Sequence, residues 1–182
     1  YLKQRGADCT YVIPDRMTDG YGMNAEAIKK LNAQGVELII TVDNGISCKA
    51  ETDLANSLGM TVVITDHHLP PEVLPSAAAV VDPHRRDCPS EFKEICGAEV
   101  VFKLICVLEQ KEPEELLYEY ADILSLAVIA DVMPLVGENR IIVKYGTEKI
   151  KNSPCVGIAA LADAAGIDTA GADSSKIAFG IC

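Results

Sequence analysis

Hydrophobic and polar positions follow two different rhythms along this chain. Residues 36–42 (Val-Glu-Leu-Ile-Ile-Thr-Val) and 61–65 (Thr-Val-Val-Ile-Thr) are short apolar, β-branched runs bounded by turn residues, which reads as strands. Between them Ser47 can cap a helix that carries Ala50, Leu54 and Leu58 at helical spacing, and Gly59 stops it. Upstream, residues 9–13 read as a strand closed by Pro14-Asp15-Arg16, and Asp19-Gly20-Tyr21-Gly22 as a glycine-rich turn. Asn24 then caps a helix with Ala27, Ile28 and Leu31 on its apolar side, ended by Gly35. Residues 77–81 predict one more strand.

Beyond that strand the rhythm is helical. Gly97 opens a helix with Val100, Val101, Leu104, Ile105 and Leu108 on one face. Pro113 starts another, in which Leu116, Leu117, Tyr120, Ile123, Leu124, Ala127 and Val128 keep helical period. Gly137-Glu138-Asn139-Arg140 begins a third that runs to Lys151, and two short Ala-rich helical segments follow, more connector than core. The order of elements predicts an α/β fold, a parallel sheet with flanking helices followed by a helical tail.

Two strands joined by a helix over about 30 residues make a parallel crossover. Parallel strands point the same way, so Asp43, after the first of them, and Asp66-His67-His68, after the second, emerge at one sheet edge. Neighbouring strands lie about 4.8 Å apart, close enough for carboxylate and imidazole to converge on one or two metal ions. Open α/β sheets keep their chemistry beyond the carboxyl ends of their strands. Asp131 closes the apolar run 123–130 and is costly there unless paired, hydrogen-bonded or metal-bound; a helix-end cap ahead of Pro134 explains it equally well.

Composition narrows the function. A chain of 182 residues, 49% hydrophobic, can bury one substantial core. The longest apolar run is too short to span a bilayer, so no membrane partner is expected. The formal charge of −11 argues against a broad basic nucleic-acid surface but leaves room for a nuclease whose metals neutralise phosphate locally. Seven scattered cysteines, some within apolar periods, read as reduced, mostly buried thiols of a cytoplasmic protein. His84, Cys88 and Cys96 lack the C-x-x-C pairing of a zinc site, and His84-Arg85-Arg86 reads as a solvated loop.

The set of motifs resembles the DHH phosphoesterase superfamily, and within it the RecJ type of single-stranded-DNA-specific exonuclease. The matching segments are Pro14-Asp15-Arg16 with Gly20-Tyr21-Gly22, Thr41-Val42-Asp43-Asn44-Gly45-Ile46-Ser47 and Thr65-Asp66-His67-His68. Cys96-Gly97-Ala98 with Phe102-Lys103, Ile129-Ala130-Asp131-Val132-Met133-Pro134-Leu135, and Glu138-Asn139-Arg140 with Lys144-Tyr145-Gly146 complete it. The resemblance implies a two-metal site for Mn²⁺ or Mg²⁺, in which Asp43 bridges the ions while His67 and Asp131 complete the shell of one. It places His68 against the scissile phosphate and makes Asp66 the orienter of a histidine.

It further implies hydrolysis of single-stranded DNA in repair and recombination, from the 5′ end, with single-strand-binding protein or a helicase as partners. Residues 1–152 would be the DHH catalytic domain without its first strand and its Asp-x-Asp-Gly motif, which supplies ligands upstream of Tyr1. Residues 153–182 would lead toward a second domain. By itself such a chain should bind metal weakly and hydrolyse little. Other members of the superfamily act on short oligonucleotides, cyclic dinucleotides or pyrophosphate, and a RecJ-like protein can survive as a non-catalytic replication scaffold. Retention of Asp43, both histidines and Asp131 speaks against the scaffold, and the lack of any G-x-G-x-x-G or P-loop against a nucleotide-binding module.

Overall fold

The computed structural model describes residues 1–14, 22–171 and 174–180. Asp15, Arg16 and most of the expected glycine-rich turn lie outside them, as does Cys182. The chain divides into two compact units, Tyr1–Pro89 and Ser90–Cys182. The boundary expected after residue 152 therefore falls inside the second unit. Among the described residues no helix is long and apolar enough to cross a membrane.

In the first unit, α1 (Ala25–Ala33) starts where Asn24 Oδ1 accepts the Ala27 N–H at 2.7 Å. Strands β1 (Leu38–Val42), β2 (Thr61–Thr65) and β3 (Ala79–Val81) pair in parallel in the order β1-β2-β3, with α2 (Lys49–Ser57) as the crossover between the first two. Val62 and Ile64 of β2 pack with Ile28 of α1, Ala55 of α2 and Met60 into the core of this unit.

Three expectations fail here. Residues 9–13 form no strand: an apolar run becomes one only with a hydrogen-bonding neighbour, and this stretch pairs with none of the described strands while leaving Tyr11, Val12 and Ile13 exposed. The N-cap of α2 is Cys48 rather than Ser47. The helix turns Thr52 and Ala55 inward, leaving Ala50 and Leu58 outside, and Thr52 is satisfied by donating its hydroxyl to the Cys48 carbonyl at 2.7 Å. All six described cysteines are free, and three of them (Cys48, Cys96, Cys106) are buried.

The register matters for the site. Val42 faces Thr65, and Thr65 faces Val81, so the three strands end in one row. Each is followed by an aspartate: Asp43, Asp66 and Asp82. The ladder carries on one step, with Asp43 N–H donating to the Thr65 carbonyl and Asp66 N–H to the Val81 carbonyl, both at 3.0 Å.

The second unit is helical: α3 (Gly97–Glu109), α4 (Pro113–Ala130), α5 (Gly137–Asn152), α6 (Val156–Ala164) and α7 (Ser174–Gly180). The apolar faces differ from expectation at two positions, since Leu108 and Ile123 are exposed. Helices α4 and α5 approach most closely at Gly146, where a Cβ would stand 2.2 Å from Ser125 Oγ and 2.3 Å from the Ala121 carbonyl oxygen. Buried Asp122 of α4 ties its neighbours together. It pairs with Lys149 of α5 at 3.0 Å and accepts the Cys155 N–H, at the start of α6, at 2.7 Å. The tail is not a mere connector: Ile158 of α6 and Ile177 of α7 form a buried cluster with Ile150.

Candidate metal centre

The site is built from two strand ends. After β1 the chain must turn sharply, and Asp43 takes the left-handed conformation at φ 61, which a short polar side chain tolerates better than most. Gly45 completes the turn at φ 108, where a Cβ would lie 2.7 Å from Thr41 Oγ1. The loop is then fixed to the next strand, because Ile46 N–H donates to Asp66 Oδ2 at 2.9 Å.

Asp66 is 1% exposed and serves as the hub of this corner. Its Oδ1 accepts the His67 N–H at 2.8 Å, the His68 N–H at 3.3 Å and the His68 ring Nδ1 at 2.6 Å. Burial pushes the carboxyl up, but the Ile46 N–H, the His68 ring and the N–H groups of His67 and His68 outweigh it and hold it below the ordinary carboxylate value. An ionised carboxylate only accepts, so the hydrogen sits on His68 Nδ1 and Nε2 is left as the acceptor nitrogen of the neutral ring.

His67 is buried beside it and turns Nε2 to Asp43 Oδ1 at 3.0 Å. Donor atoms of Asp43, His67 and His68 all lie within 4.8 Å of one another. The fit to a divalent ion rests on that donor set. One carboxylate oxygen and imidazole nitrogens are what Mn²⁺ accepts, and Mg²⁺ takes the carboxylate. Adjacent ligands of an octahedral ion at about 2.1 Å stand roughly 3 Å apart, the spacing of Asp43 Oδ1 and His67 Nε2.

Of the residues singled out from the sequence, the structure brings Asp43, Asp66, His67 and His68 into one corner of the first unit. Asp131 stands in the second unit as the C-cap of α4. It is exposed rather than sunk in apolar surroundings, so burial costs it nothing. The residue after it, Val132, is held at φ 55, a conformation that a β-branched side chain adopts only under constraint. Arg85 is engaged locally by Asp87 and the Val80 carbonyl, in keeping with a loop.

Sequence reasoning passed over Asp82. Its side chain is fully buried, Oδ1 accepts the His84 N–H at 2.7 Å, and Oδ2 has no hydrogen-bond partner among the described residues. Burial pushes this carboxyl up; the His84 N–H pulls it back only in part, and the Asp66 charge raises it further. The signal that could have found it is its strand-end position, which repeats those of Asp43 and Asp66.

Comparison with known proteins bears on this geometry. The model of the DHH family, N-terminal domain, matches residues 1–128. This chain belongs to the DHH family. The DHH chain is 38% identical over 188 residues to the single-stranded-DNA-specific exonuclease RecJ of Dickeya dadantii, covering 97% of this chain and 33% of that protein. To the RecJ of Bacillus subtilis it is 38% identical over 178 residues, covering 98% of this chain and 22% of that one. A crystal structure of exonuclease RecJ bound to manganese superposes with a TM-score of 0.83 at 36% identity, over 99% of this chain and 45% of the other. The DHH chain thus spans about a third or less of the length of these curated relatives.

Proposed function

We propose that this chain carries a metal-binding part of a nuclease that hydrolyses phosphodiester bonds of single-stranded DNA. The observation that carries the proposal is the convergence of Asp43, His67 and His68 within 4.8 Å at the ends of two parallel strands. Likeness over nearly the whole chain to RecJ proteins supports single-stranded DNA as the substrate, in preference to cyclic dinucleotides or pyrophosphate.

Asp43 and His67 would hold Mn²⁺ or Mg²⁺, the first through its carboxylate and the second through Nε2. When bound there, divalent ions supply an acidified water and charge neutralisation for the phosphate. Asp66 keeps His68 in the tautomer that carries hydrogen on Nδ1, which leaves Nε2 as the ring nitrogen for the phosphate. Protonated, that nitrogen donates to a phosphate oxygen; neutral, it accepts from water.

The test uses a protein of the full length of its relatives. Manganese-dependent release of nucleotides from long single strands, absent on duplex controls and lost in Asp43→Ala and His67→Ala, is the expected result. Preferential hydrolysis of dinucleotides or pyrophosphate would overturn the substrate, and activity surviving Asp43→Ala would overturn the site.

A further inference from the structure

A cavity of about 470 Å³ opens among α3, α4 and α5, wholly within the second unit. Its most buried lining residues are Glu99, Phe102 and Ile142, 1%, 5% and 5% exposed, while Tyr118 and Tyr145 stand half-exposed at its rim. The volume is in the range of sites that hold small ligands or single side chains.

The polar groups do not balance internally. Glu99 Oε2 accepts the Cys96 N–H at 2.8 Å and so closes the start of α3. Glu99 Oε1 is buried and has no hydrogen-bond partner among the described residues. Burial pushes this carboxyl up, and the Cys96 N–H and thiol offset that only in part. A buried carboxyl oxygen without a donor is costly, and a cationic donor entering the cavity removes that cost once the Glu99 carboxyl, now closed off from solvent, turns toward it.

Charge selects the kind of donor. Glu99, Glu114 and Glu138 line the cavity against one ammonium, Lys103, which is already paired with Glu138. Three carboxylates disfavour phosphate and nucleic acid. The rim tyrosines tolerate cations on their rings: Lys149 Nζ lies 5.9 Å from the Tyr118 centroid and Lys144 Nζ 6.0 Å from that of Tyr145, the outer limit of the interaction. A guanidinium suits such a place better than an ammonium, since it is planar, stacks on aromatic rings, sheds water more readily and has an apolar stem to lie along the lining.

We infer that this cavity receives an arginine side chain presented by a partner polypeptide, with the guanidinium donating to Glu99 and stacking on the rim tyrosines. The inference does not depend on the nuclease reading.

The probe is the tripeptide N-acetyl-Gly-Arg-Gly-amide, titrated into the 182-residue chain and followed by amide and aromatic NMR shifts. Lysine and citrulline tripeptides serve as the two controls. Saturable shifts around Glu99, Phe102, Tyr118 and Tyr145 are expected with arginine, weaker binding with lysine, and none with citrulline. Glu99→Gln keeps an oxygen for the Cys96 N–H but loses the charge, so affinity should drop about tenfold or more. Should that variant fail to fold, Tyr145→Leu at the rim should weaken binding as well. No saturation, equal binding of citrulline or lysine, or unchanged affinity in the folded variants would overturn the inference. Self-association of the chain abolished by Glu99→Gln would also overturn it, by assigning the cavity to a second copy.

Discussion

His68 Nδ1 lies 2.6 Å from Asp66 Oδ1, and that one contact fixes which face of the second imidazole can reach a substrate. The same oxygen also collects the backbone N–H groups of His67 and His68, so the triplet orients itself. Asp66→Asn replaces an acceptor-only group by one that must point an amide at a donor. It should cost about 2–3 kcal/mol of stability, measurable by urea denaturation. It should also release His68 to a mixture of tautomers in long-range ¹⁵N NMR. A variant that keeps the Nδ1-hydrogen form would show that something other than Asp66 sets it.

Asp43 occupies a turn rather than a packed position, with about half of its side chain exposed. Asp43→Ala should therefore leave unfolding cooperative, with a change within about 1 kcal/mol. Mn²⁺ affinity, read by electron paramagnetic resonance, should fall tenfold or more. Loss of the fold in this variant would make the residue structural instead.

Metal uptake should weaken on acidification, because ligation needs a neutral imidazole and a proton competes for it. Mn²⁺ titrations at stepped pH should show affinity falling steadily toward acid pH. Affinity that stays constant down to pH 5 would remove His67 from the ligand set.

Gly146 sits where α4 and α5 touch, with Ser125 Oγ and the Ala121 carbonyl in the place a Cβ would take. Because one of those atoms is backbone, the helices must separate to admit a methyl group. Gly146→Ala should destabilise by about 2–3 kcal/mol, despite the better helix propensity of alanine. A melting temperature equal to or above that of the parent chain would mean the helices part easily.

Asp122 gives the second unit an acid limit. Burial pushes its carboxyl up, but the Cys155 N–H, the Lys149 ammonium and the Ile123 N–H outweigh it, so its folded value lies below the unfolded one. The unfolded chain then binds the proton first. The stabilisation is complete above the unfolded value of about 3.9 and is lost as pH falls toward and through the folded value. Denaturation series between pH 6 and pH 2 should show this slope in the parent chain and a shallower one in Asp122→Asn.

The sequence by itself determined the elements whose pattern is local. Asn24 as a cap, the strand–helix–strand crossover, the helices begun at Gly97, Pro113 and Gly137, and the placing of Asp43 and Asp66-His67-His68 at one sheet edge all follow from local pattern along the chain. Residues 9–13 show the limit, since strand propensity counts only where another strand supplies hydrogen bonds. Short α6 and α7 had too few large apolar residues to announce a core, and only packing showed Ile158 and Ile177 inside one. Which oxygen of Asp66 meets which histidine, that His67 turns to Asp43, and that Asp82 and Glu99 each keep a buried oxygen without a partner among the described residues were decided by tertiary structure alone. The physical reason is reach: periodicity reports one face of one element, whereas these contacts depend on strand register and on turns such as Asp43 at φ 61, set by chain segments 20 or more residues apart.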